Sequence, residues 1–258
     1  MMLKGKSEPV PIYRLVSPKF TPQTLRGLPG LRSRLVGRED EQSRLQQALD
    51  ALTKRQGSRI AIVGEAGIGK SRLIAELRQT MPENTTWVEG RALSYTTQMS
   101  FFLARQLLIN MIGLSTDAPL SQIDTALRTS VETVIPDAAS MVYPMLARML
   151  DLPLTAEATT YFEDIMPQGI RIRMLQAYTA FVRAHAQNTP LVLVWEDLHW
   201  ADPSSLALLE VLFSLADEVP LMLVLVLRGE ESAALNLVHH AQTTIENGFI
   251  VFKLAPLS

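Results

Sequence analysis

Eight residues, GEAGIGKS from Gly64 to Ser71, have the types and spacing needed to hold a chain of phosphates. They fit the pattern G-x-x-x-x-G-K-[ST]. The glycines let the backbone curl so that successive N–H groups point inward at phosphate oxygens. Lys70 adds a cation near the β- and γ-phosphates, and Ser71 offers a hydroxyl to Mg2+. A helix starting here aims its positive end at the same anion. The nucleotide-binding set is therefore Gly64, Glu65, Ala66, Gly67, Ile68, Gly69, Lys70, Ser71 and Arg72. RIAIV before the loop reads as a strand and SRLIAELRQ after it as a helix, so the motif has the flanks it needs.

Phosphoryl transfer at such a loop also needs carboxylates, one to hold Mg2+ and one to orient the attacking water. LVLVWEDLHWAD, residues 191–202, supplies a pair. Four apolar residues and Trp195 make a strand, and Glu196 and Asp197 stand at its carboxyl end, the edge where open α/β sheets bind ligands. Glu196 is assigned to the Mg2+ shell and Asp197 to the water, with the reverse assignment open. Asp202 precedes Pro203, which suits a helix N-cap better than catalysis. His199 and Trp200 are expected to pack beside the site. Arg228 closes the apolar run LVLVLR, where a planar and permanently charged group suits contact with a γ-phosphate. Its alternative is a surface arginine that merely ends a strand.

These residues need a scaffold, and the hydrophobic pattern describes one. Near-continuous apolar runs at 59–64, 191–195, 221–227 and 249–254, with a further strand at 85–90, read as five strands. Helical periodicity covers roughly 39–55, 70–80, 203–217 and 230–243. Residues 98–188 read as mostly helical, broken near Gly113, Pro119, Pro136, Pro153 and Pro167, with methionines as core filler. Apolar strands alternating with helices imply a parallel sheet covered on both faces. The expected class is α/β, with a helical insertion between the second and third strands.

Composition bounds the rest. The 258 residues are 47% hydrophobic and 19% charged, a balance that supports a sizeable core. There is no cysteine, which excludes disulfides and thiolate metal sites. No apolar run has the length of a membrane helix, and the N-terminal residues lack a secretory pattern, so a cytoplasmic location and no membrane partner are the default. Residues 1–38 carry eight basic side chains against Glu8 alone, but these are dispersed among prolines. That favours a solvated linker over a nucleic-acid-binding arm.

Together these motifs resemble the STAND branch of P-loop ATPases, within the wider AAA group. The resemblance runs from Leu35 to Ser258. LVGREDE, 35–41, is similar to the family's opening motif and implies Val36, Gly37 and Arg38 near the adenine. GEAGIGKSRL, VLVWEDLHWAD, Arg228 and the closing LAPLS fit the version found in class III adenylate cyclases with an attached ATPase module and in large LuxR-type regulators. The resemblance implies a P-loop NTPase fold whose fourth strand lies between the first and third. It also implies Mg2+ and ATP as cofactors and slow hydrolysis serving as a switch. A module that binds nucleotide without hydrolysis, or the ATPase part of a transcriptional regulator, are the alternatives.

LKGKSEPVPIYRL, near the start, resembles the last strand of a class III cyclase catalytic domain. Residues 1–34 are thus expected to be a remnant of an upstream domain plus linker. Residues 35–258 would be the ATPase domain, ending before the winged helix that usually follows. The expected partners are ATP and a cyclase-like output domain, with self-association open. No cyclase activity is expected from this chain alone.

Overall fold

The computed structural model describes residues 37–154, 162, 165–245 and 248–256. The chain divides into Met1–Arg32 and Ser33–Ser258. The first unit, the cyclase-like stretch and Val36 lie outside the described residues.

In chain order the elements are α1 (Glu39–Thr53), β1 (Ser58–Val63), α2 (Lys70–Gln79), β2 (Thr86–Arg91), α3 (Phe102–Met111), α4 (Leu120–Val134), α5 (Ala139–Met149), α6 (Pro167–Asn188), β3 (Leu191–Glu196), α7 (Pro203–Leu215), β4 (Leu221–Leu227), α8 (Ala233–Thr244) and β5 (Phe249–Lys253). Short 3-10 turns occupy Pro136–Ala138 and Leu198–Trp200. The five strands form one parallel sheet in the order β2-β3-β4-β1-β5. The fourth strand does lie between the first and third.

Period-two alternation explains why every residue of β1, β3 and β4 is buried. Ile60, Ile62, Val192, Val194, Met222 and Val224 face α1 and α2, meeting Leu45, Leu49, Leu52, Leu73 and Leu77. Ala61, Leu193, Trp195, Leu223 and Leu225 face the other way into a larger core with α3 to α8. Each fully buried leucine contributes about 1.5–3 kcal/mol relative to exposure. A strand with polar alternation would leave one of these two cores unfilled.

Among the described residues the breaks expected in 98–188 separate four helices, and α5 runs through Pro144. Here the long apolar stripe of α5, with Val142, Met145, Leu146 and Met149 buried, outweighs the lost backbone bond. Among the described residues no helix is long and apolar enough to cross a membrane.

One half-buried group ties this layer to pH. His185 on α6 lies edge-on to Phe181 with centroids 4.5 Å apart, and its Nε2 is 3.2 Å from Ser130 Oγ on α4. Burial pushes its pKa below the ordinary value of 6.5. As pH falls below that value the unfolded chain takes up the proton first, so stability is full above it and lost below it. Between about pH 7.5 and about pH 5.5 the thermal midpoint should fall more in the wild type than in His185→Gln. Equal falls would mean that His185 is not the group responsible.

Candidate functional site: a phosphate loop facing two acids

Because the sheet is parallel, β1 to β4 all end at one edge. Val63 is in register with Leu227, so Gly64 and Arg228 leave adjacent strands side by side. Arg91 is likewise in register with Glu196. The phosphate loop, the acid pair and Arg228 therefore meet by topology.

The loop turns through Gly67 at φ 79° and Gly69 at φ 103°, left-handed values that an L side chain resists. A Cβ at either would meet nothing within 4 Å, so backbone geometry rather than crowding requires glycine. Glu65, Ala66, Gly67 and Ser71 are exposed, while Ile68 packs against the α1–α2 core. Lys70 is the first residue of α2 and is buried. Its ammonium donates to the Gly64 carbonyl at 2.6 Å and the Glu65 carbonyl at 2.8 Å. Burial lowers its pKa, and the negative charge of Asp197 opposes that. Arg72 turns its guanidinium along α2 to Glu76, with Nε 2.8 Å from Oε1.

Glu196 ends β3 and is 7% exposed. Asp197 follows at φ 51°, in the left-handed region. This kink breaks the strand alternation that would send adjacent side chains to opposite faces, and both acids reach the same cation, Arg91. The Arg91 Nε–H donates to Asp197 Oδ2 at 2.6 Å, and Nη2 lies 3.6 Å from Glu196 Oε2. Arg91 feels burial first, but Asp197 wins and its pKa is raised.

Sequence reasoning missed Arg91, since a charge at the end of an edge strand carries no motif. Its position is well fixed. Gln106 on α3 accepts from the Arg91 N–H and donates to its carbonyl, both at 3.1 Å. Gly90 lets α3 approach this strand, because a Cβ there would lie 2.9 Å from Leu107.

Arg228 pairs with Glu230, Nη1 to Oε1 at 3.6 Å, and its charge reaches Lys70. Asp202 is 1% exposed and accepts from Phe101 N at 2.7 Å, Ser204 N at 3.1 Å, Ser205 N at 2.9 Å and Ser205 Oγ at 2.6 Å. Four donors saturate this carboxylate. It caps α7, as the Asp-Pro pair predicts, and it also ties the start of α3 to that cap.

On the other flank, Gly37 takes φ 74° and its N–H donates to Glu39 Oε1 at 3.2 Å. Arg38 is 7% exposed and reaches Glu41 Oε1 at 3.2 Å and the Ala255 carbonyl at 2.5 Å. Leu254 in turn donates its N–H to the Val63 carbonyl at 2.8 Å and packs on Gly64. Arg38 thereby ties the start of α1 to the exit of β5, beside the loop.

The donor set suits Mg2+, which keeps several waters and takes one or two protein oxygens plus substrate phosphates. Among the described residues no group of three or more His, Cys, Asp and Glu could cage a metal. One hydroxyl and one carboxylate match that sparse requirement.

A family model described as AAA ATPase domain matches residues 34–226. An uncharacterized protein of Rhizobium meliloti (strain 1021) is 26% identical over 231 residues, covering 86% of this chain and 21% of that protein. The chain thus spans about a fifth of that relative's length. The crystal structure of Cdc6p from Pyrobaculum aerophilum is similar at a TM-score of 0.45 and 14% identity, over 87% of this chain and 48% of that one.

Proposed function

The chain belongs to the AAA ATPase domain family, and from that premise we propose that it binds Mg·ATP on Gly64–Ser71 and hydrolyses it slowly as a regulatory switch. The observation that carries this reading is the single edge where Lys70, Glu196, Asp197 and Arg228 converge. Lys70 already rests on two loop carbonyls, and phosphate oxygens would take over from them. The backbone N–H groups of the loop and the start of α2 would hold the β-phosphate. Arg228 would meet the γ-phosphate from the neighbouring strand.

Ser71 and Glu196 would hold Mg2+, which when bound neutralises charge on the β- and γ-phosphate oxygens. Asp197, whose charge Lys70 feels, would orient water. Gly37 and Arg38, with Val36, would flank the base. The output would be a shape change driven by γ-phosphate contacts that differ between ATP and ADP states. On this reading the switch would serve a larger signalling protein with a cyclase-like output domain, and the resemblance of the motifs to STAND modules supports it.

The second reading is a module that binds ATP without hydrolysing it. The grip of Arg91 on both acids favours it, since oxygens engaged by the guanidinium are not free to hold the attacking water. Single-turnover assays with the chain in excess over labelled ATP separate the two. Phosphate should appear slowly in Mg2+ and stay absent with Lys70→Ala. Bound ATP recovered intact from the wild type would leave only the binding module.

A further inference from the structure

The turn Leu198–Trp200 contains an unpaid polar cost. Both ring nitrogens of His199 are buried, and neither has a hydrogen-bond partner among the described residues. A buried polar group left unpaired is costly, and each one in a native structure calls for an explanation, a functional role among them. Two residues earlier Asp197 sits in the left-handed region, so two unfavourable features adjoin in one short segment.

The surroundings say what the ring is placed to do. The charges acting on it are Asp197, then Arg228, Glu230 and Lys70. The turn follows Asp197 directly and packs against β4, whose exit carries Arg228, so the ring lies on the Asp197–Arg228 side of the site. Trp200 backs it at 5.1 Å between centroids, tilted by 46°. A neutral imidazole offers one donor and one acceptor. A terminal phosphoryl held between Asp197 and Arg228 would present several hydrogen-bond acceptors on that side.

We propose that His199 is a specificity-determining residue of the nucleotide site, whose imidazole turns to give a hydrogen bond to the terminal phosphoryl group of a nucleoside triphosphate. This rests on the nucleotide-binding reading above. Binding of ATP relieves the unpaired nitrogen, whereas ADP presents nothing on that side. The ring thereby couples the γ-phosphate to the turn that joins β3 to α7.

The test measures equilibrium binding of ATP and ADP, each with Mg2+, to the full chain carrying His199→Phe or His199→Gln. Phenylalanine keeps the ring volume and its packing on Trp200, while glutamine keeps a donor. His199→Phe should lower the ATP-over-ADP preference about ten- to a hundredfold, with ADP affinity unchanged. His199→Gln should restore part of it. An unchanged preference in His199→Phe, or an equal loss of ATP and ADP, overturns the proposal while nucleotide binding stands. Failure of the wild type to bind either nucleotide overturns both.

Discussion

Asp197→Asn should leave Mg·ATP affinity within about threefold of the wild type while single-turnover phosphate release falls by about a hundredfold or more. The substitution keeps shape and one oxygen. The Arg91 Nε–H, now 2.6 Å from Asp197 Oδ2, can still donate to the asparagine carbonyl. What is lost is the charge that pulls a proton from water. Folding is little affected, because the two side chains are 35% and 32% exposed and such a pair contributes under about 1 kcal/mol. Glu196→Gln should behave differently, weakening ATP binding in Mg2+ more than in its absence. If the two phenotypes exchange, Asp197 holds the metal and Glu196 the water. If neither variant changes phosphate release, the acid pair has no part in hydrolysis.

Lys70→Ala should weaken ATP binding by about a hundredfold or more, since removing one side of a buried charge contact costs about 2–5 kcal/mol. Its effect on folding should be much smaller. Among the described residues the ammonium bonds only to the Gly64 and Glu65 carbonyls, and burial already acts against its charge. Removing it gives up two hydrogen bonds but also the cost of burying an ammonium. A thermal midpoint close to that of the wild type, with ATP binding lost, would mark Lys70 as a ligand-binding group. A collapse of the midpoint would mark it as a strut of the loop.

The sheet was readable because its central strands are apolar on both faces, so LVLVWE and LMLVLVL stand out without alternation. The phosphate loop was readable because its spacing is local. The grip of Arg91 on Asp197 joins residues 106 apart and exists only through the β2–β3 register. The clasp of Arg38 on Ala255 spans 217 positions. Neither has a local signature. The left-handed turn at Asp197 was hidden as well, because aspartate tolerates that region without glycine to announce it. That turn brings two adjacent acids to one arginine. His199 could be placed beside the site, but its unpaired nitrogens emerge only from packing.

Titration calorimetry of the wild-type chain with ATP in Mg2+, set against Lys70→Ala, tests the central claim most directly. Saturable binding of one ATP per chain, lost or severely weakened in the variant, is the expected result. Saturable binding that Lys70→Ala leaves unchanged, or no binding by the wild type, would contradict it.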